Sequence, residues 1–462
     1  MQDSLALDLL PSNSSEGVGS VPRKAHVRQG QVFRHGTLAS LLPTDVSSLV
    51  PEEDAARWIR LGLERVDLGF VKSAYADCGG IPYDPRAMLG ILLYAYFEGD
   101  TGSRTIEKRC RRDVGYMLVG YGLKPDDRTL RRFRRRVGPH LDELFRRVVR
   151  ICKEEGLLPM RRVAVDGTKM ASSASQLKRW LKSSENEDMG EMGLEPEVCS
   201  DPDARSVGAS GKFLRGYNCQ AAVDCDSGIV VAADVSNVNS DGQWLAPMVE
   251  QTVENAQARP VQVVADAGYD TYEGAAACAE RGIEAILAPH DAAGTFWAVT
   301  EEDKIVCPMG QEARPSGKPL PNSGKLYQTL RVATCRACPL ATECSGLSRT
   351  RTLSHPVGTD PIHRLNAAYR SRSPEGKAAM QERMATIEPV FADVKWNKGL
   401  GRFRLSRLNG ARLEWTLIHL ARNLAKLGKS LTGALVRLFY ALGVRFEHTK
   451  IPFCRPRQSF QP

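Results

Sequence analysis

The chain has 462 residues, enough for about two to four domains, and its 42% apolar and 25% charged content is that of an ordinary folded protein. No stretch reaches the roughly 18 uncharged apolar residues of a membrane span, the N-terminus lacks a basic-then-apolar secretion signal, and the cysteines are too sparse for a disulfide framework. Lys and Arg number 63 against 54 Asp and Glu, a +9 excess that residues 101–150 match alone with fifteen basic and six acidic side chains, so a polyanionic partner is expected.

Residues 1–40, rich in Ser, Gly and charge without periodicity, read as a flexible tail. A helical domain is predicted over 41–155. Pro82-Tyr83-Asp84-Pro85 opens a helix whose Met88, Leu89, Ile91, Leu92, Leu93 and Tyr96 form an apolar stripe. Gly99-Asp100-Thr101-Gly102-Ser103 is a turn, and Ser103 stands where a cap for the next helix belongs. A further helix spans 128–137, with Leu130, Phe133 and Val137 on one face and arginines on the others.

After residue 160 the texture changes to short apolar runs. They predict strands at 162–166, 217–224 and 229–235, a helix at 242–257, a strand at 261–266, a helix at 272–281 and a strand at 283–288. Cys225-Asp226-Ser227-Gly228 makes the second and third strands a hairpin, and 170–216 is a Ser- and Glu-rich insertion. This is the element order of a ribonuclease-H-like α/β core, in which the first and fourth strands lie adjacent and parallel. Residues 291–375, with Gly, Pro and Cys but little periodicity, read as an insertion; helical character resumes at 376 and the domain closes near 428, before a C-terminal tail at 429–462.

Two of the runs end alike, Val163-Ala164-Val165-Asp166-Gly167 and Val263-Val264-Ala265-Asp266-Ala267-Gly268, one hundred residues apart. On adjacent parallel strands these aspartates would meet, and paired carboxylates hold divalent cations that serve phosphate chemistry. Asp224 also ends a strand, but its hairpin setting favours a turn role. Asp270 reads as a helix cap. The third acid expected is Glu388, at the edge of the face made by Ile387, Val390, Phe391 and Val394, with Lys395 seven residues on and nearly aligned with it. Pro389 places that acid at a helix start or kink.

These motifs resemble the DDE-type transposases of bacterial insertion sequences, in the group with an InsH-like N-terminal domain and a ribonuclease-H-like core. The likeness spans roughly residues 40–428 and is carried by Val165-Asp166-Gly167-Thr168-Lys169, Ala265-Asp266-Ala267-Gly268-Tyr269-Asp270 and Ile387-Glu388-Pro389-Val390-Phe391. Asp201-Pro202-Asp203-Ala204-Arg205 and Gly216-Tyr217-Asn218-Cys219-Gln220 are similar too. Of the family's Tyr, Arg, Glu, Lys signature, Glu388 and Lys395 keep the spacing, Arg383 is one place off and Gln381 stands at the Tyr position. The resemblance implies two Mg²⁺ or Mn²⁺ ions on Asp166, Asp266 and Glu388, a phosphate contact from Lys395, cleavage at inverted-repeat ends and strand transfer into target DNA. It also implies a homo-oligomer on double-stranded DNA, cytoplasmic and nucleoid-associated. The alternatives are a ribonuclease-H-like nuclease or resolvase without joining, and a non-catalytic DNA-binding descendant of a transposase.

Residues 101–137 resemble a helix-turn-helix region, in which Arg131, Arg132, Arg134 and Arg135 suit phosphate contacts. Cys335-Arg336-Ala337-Cys338 with Cys344 and the distant Cys307 has the residue types of a structural zinc knuckle, the alternative being unligated thiols; His355 and His363 are reserve ligands.

Overall fold

The computed structural model describes residues 45–73, 75, 81–174, 200–209, 212–290, 297–322, 324–332, 335–341, 344 and 350–441. The 1–40 tail and most of the Ser- and Glu-rich insertion lie outside the described residues. The first part is helical: α1 Val46–Leu49, α2 Ala55–Glu64, α3 Gly69–Lys72, α4 Pro85–Glu98, α5 Ser103–Arg112, α6 Val114–Val119, α7 Asp127–Val137 and α8 Leu141–Glu154. Aspartates start many of these helices. Asp54, Asp84, Asp113 and Asp126 each accept a backbone N–H of the first turn, and Pro85 follows Asp84 with its φ already helical. Gly102, not Ser103, occupies the N-cap of α5. The predicted stripe of α4 is fully buried.

Six strands form the main sheet: β1 Arg162–Ala171, β2 Arg205–Ala209, β3 Lys212–Asp224, β4 Val230–Ser236, β5 Gln262–Ala265 and β6 Glu284–Leu287. The order is β2-β3-β1-β5-β6, with β4 also paired to β3. β1 runs antiparallel to β3 and parallel to β5, in register from Arg162 opposite Gln262 to Val165 opposite Ala265. The first and fourth predicted strands are therefore neighbours. Two differences matter. β1 continues five residues past Asp166, paired to β3 as far as Ala171, so this aspartate lies within a strand and not at its tip. β2 is an extra edge strand, formed where the sequence showed only polar insertion.

Helices α9 Leu245–Ala256 and α10 Tyr272–Glu280 link the later strands. The 291–375 region, read as irregular, holds short strands: β7 Ala298–Val299, β8 Ile305–Val306, β9 Arg314–Pro315, β10 Leu320–Asn322, β11 Lys325–Val332 and β12 Arg351–Pro356. A helix α11, Pro361–Arg370, follows. Then come α12 Pro374–Ala392, a π-helical turn Asp393–Asn397 and the long α13 Leu408–Ala441, which carries the predicted C-terminal tail on as helix to residue 441. α13 lies against α2, α4, α8 and β4. One continuous apolar core runs from Val50 to Leu427.

Candidate active site

Asp166 stands on β1 one step beyond the last β1–β5 pair, and Asp266 follows the end of β5, so the two carboxylates are side by side. Asp166 accepts the Gly167 N–H at 2.8 Å and Asp266 accepts the Gly268 N–H at 2.9 Å. Between them lies a guanidinium. Arg383 Nη2 is 3.1 Å from Asp166 Oδ2 and 3.4 Å from Asp266 Oδ2. Arg383 is only 5% exposed, and its Nε is buried with no hydrogen-bond partner among the described residues.

Helix α12 sets that contact. Ser373 caps it, and Glu382 pairs with Arg161 and Arg162 at the start of β1, pinning the helix along the sheet. Ile387, Val390, Phe391 and Val394 are buried as their shared face predicts. Arg383, one turn before Ile387, belongs to that same inward face. Glu388 lies five residues on from Arg383, about 140° further round the helix, and is exposed. It stands neither at a helix start nor at an end, because α12 continues through Pro389 to Ala392. Among the described residues no group of three or more His, Cys, Asp or Glu side chains is placed to hold a metal ion, and Glu388 is not grouped with the aspartates in this structure.

A third acid, not expected from the sequence, adjoins the pair. Asp241 accepts Asn218 Nδ2 at 2.7 Å and Gln220 Nε2 at 2.8 Å, and pairs with Lys169 Nζ at 3.2 Å. Gly167 makes room for this network: a Cβ there would sit 2.8 Å from Asp241 Oδ1 and 2.6 Å from Gln220 Nε2. The buried Tyr269 hydroxyl donates to Gln220 Oε1. Asp241 sits in Ser240-Asp241-Gly242, a string that reads as a plain turn, while its partners Asn218 and Gln220 stand on β3 opposite Lys169 and Gly167.

Burial pushes the Asp166 carboxyl up to about 6; Arg383 and the Gly167 N–H oppose the rise, while the charges of Asp266 and Asp241 add to it. Lys395, on the π-turn, donates to the Thr168 hydroxyl two residues beyond Asp166. Burial lowers its pKa, and Lys169 adds a repulsion in the same direction.

Other expected sites sort differently. Arg131, Arg132 and Arg135 are exposed on α7, but Arg134 is not a surface cation. It is 5% exposed, donates to the Thr101 carbonyl at 2.9 Å and lies over the Tyr96 ring, so it holds helices together. Asp224 has the turn role expected of it, accepting Met160 N, Ser227 N and the Ser227 hydroxyl. Asp270 does not cap α10; Thr271 does, and Asp270 binds Arg364 at 2.6 Å instead. The sulfurs of Cys335 and Cys344 accept from the Arg351 backbone N–H and guanidinium. Cys307 and Cys335 share a small apolar cluster with Ile305, Leu330 and Val332. Among the described residues these cysteines and Cys338 do not form a ligand set, and neither His355 nor His363 completes one.

Residues 306–428 match the family described as Transposase DDE domain, and residues 45–136 match the family described as Transposase domain (DUF772). The first match contains Glu388 and Lys395, and the second contains the arginines of α7. No curated protein matches the chain. The two matches support a DDE-type insertion-sequence transposase, a class whose substrates are DNA and whose work is transposition of a mobile element. Divalent metal ions are typical of the family. No helix among the described residues is long and apolar enough to cross a membrane.

Proposed function

We propose that this chain cuts DNA at the inverted-repeat ends of its element and joins those ends to target DNA, using a ribonuclease-H-like core. The observation that carries this reading is the pairing of Asp166 and Asp266 on neighbouring parallel strands around one positive charge. Two carboxylates whose resident partner is a cation fit a divalent metal ion in chemistry. Asp166 and Asp266 would hold it, and when bound it supplies a Lewis acid and an activated oxygen nucleophile for phosphoryl transfer.

The chain's own residues have distinct tasks. Lys395 offers a point charge to a phosphate beside Asp166. Asp241, Asn218, Gln220 and Lys169 fix the floor under Gly167, so that the aspartates do not shift as charge changes. Arg131, Arg132 and Arg135 grip the duplex backbone without reading bases. Glu388 is the acid offered for the third ligand position, to which it must move in from the surface. Joining two ends in one complex requires more than one copy of the chain. The 41–155 helices form the end-binding part and 160–428 the catalytic part.

The exposed position of Glu388 favours a second reading, a transposase-derived protein that binds DNA without cutting it. Purified protein and an Asp266→Asn variant, incubated with flanking DNA of the element and Mg²⁺, separate the two. Cleavage and joining lost in the variant are expected. Binding by both proteins without cleavage at any Mg²⁺ concentration would leave the second reading standing.

A further inference from the structure

Arg383 stands where a cation between the aspartates belongs. A guanidinium with one nitrogen 3.1 and 3.4 Å from two carboxylates neutralises them as a bound ion does. An arginine cannot lose its charge to make way, so a divalent ion entering between these oxygens meets both a steric and an electrostatic barrier. The arginine is also incompletely satisfied: its buried Nε has no acceptor among the described residues, which costs free energy in this position. Asp266, by contrast, is 46% exposed at the side chain, so the pair opens to solvent on one side.

We propose that Arg383 is a built-in counter-ion that excludes divalent metal from DNA-free protein and is drawn off the aspartates by a backbone phosphate, so that metal loading is coupled to DNA binding. The proposal rests on the reading that Asp166 and Asp266 are metal ligands. A phosphate is the partner whose chemistry suits the exchange. It offers the guanidinium two oxygens at once, including an acceptor for Nε, and DNA brings it at high local concentration. The same exchange places the positive charge on the substrate. Linkage then requires reciprocity: if DNA tightens metal binding by some factor, metal tightens DNA binding by the same factor.

The test is Mn²⁺ binding followed by the electron paramagnetic resonance of free Mn²⁺, with and without a pre-cut duplex of the element's end. Wild-type protein is expected to bind Mn²⁺ about tenfold or more tightly with the duplex than without it, inside the usual range of such couplings. Arg383→Gln should bind Mn²⁺ without DNA about as tightly as wild type does with DNA, and gain little more from the duplex. Arg383→Lys, which keeps a charge on a shorter stem, should stay weak without DNA. Equal wild-type affinity with and without duplex overturns the proposal while leaving the aspartates as ligands, and it needs no variant to fold. Equal or weaker Mn²⁺ binding by a folded Arg383→Gln protein overturns it too. No binding by any protein under either condition removes the metal-ligand reading itself, and the proposal with it.

Discussion

Tyr96 and Glu414 are joined by a 2.9 Å hydrogen bond across 318 positions of sequence, one in the helical N-terminal part and the other on α13. Glu414 is 1% exposed and also accepts the backbone N–H groups of Arg404 and Leu405. Burial raises its pKa, and those three hydrogen bonds hold the rise in check. A carboxyl raised on folding keeps its proton where the unfolded chain has lost it, so stability falls as pH climbs through that window. Tyr96→Phe removes one of the checks and should cost about 1–3 kcal/mol, more near pH 8 than near pH 5. Urea unfolding at the two pH values measures this; equal losses would show that Glu414 is not the group responsible.

Asp166 carries the same sign. Its folded value of about 6 lies above the ordinary 3.8, so in metal-free protein its ionisation weakens the fold from about pH 4 upward and fully above about pH 6. Asp166→Asn should therefore raise the melting temperature of metal-free, DNA-free protein at about pH 8, with the gain shrinking toward pH 4. A gain independent of pH would mean the variant stabilises by packing and not by charge.

Asp241 is a positioning residue for the pair. Asp241→Asn weakens its hold on Lys169 and sets an amide against those of Asn218 and Gln220. Cleavage should fall by about tenfold or more with DNA affinity unchanged, a split between turnover and binding in single-turnover assays. Loss of DNA binding in parallel would assign Asp241 to the fold alone.

The arginines of α7 divide by burial. Replacing Arg131, Arg132 and Arg135 with Ala should weaken duplex binding and flatten the dependence of log affinity on log salt by up to about 0.9 for each phosphate no longer neutralised. Arg134→Ala should instead lower the melting temperature, since Arg134 bridges Thr101 and Tyr96. A salt slope unchanged in the triple variant removes α7 from the DNA-binding face.

Much of the sheet was legible because its strands are short apolar runs closed by Asp or Gly. Asp166 and Asp266 could be paired from strand order alone. The face of α12 was legible as well, from Ile387, Val390, Phe391 and Val394. Its extension one turn back to Arg383 was open to the same rule but hidden by the residue type, since a charge on an apolar face reads as an edge. Glu388, next to Ile387, is turned about 100° from that face, and only the packing shows on which side of it the sheet lies. Asp241 was hidden because it lies in a turn and its partners come from β1 and β3. The strands between 298 and 356 gave little signal because four of them are only two or three residues long, and of these β9 and β10 are exposed throughout.

The close fit of α2 to α13 bears on how the chain is made. A Cβ on Gly62 would lie 2.6 Å from the Leu424 carbonyl oxygen, and one on Gly428 would strike the Trp58 carbonyl, so the two backbones touch where the first and last helices of the core cross. The surface of α2 that meets α13 therefore lacks this partner until α13 has been made. A polypeptide released before residue 428 should be left with the arginines of α7 on an unfinished scaffold, open to proteases. Cleavage between residues 55 and 154 in stalled nascent chains, ending once α13 clears the exit tunnel, is the expected trace of that order.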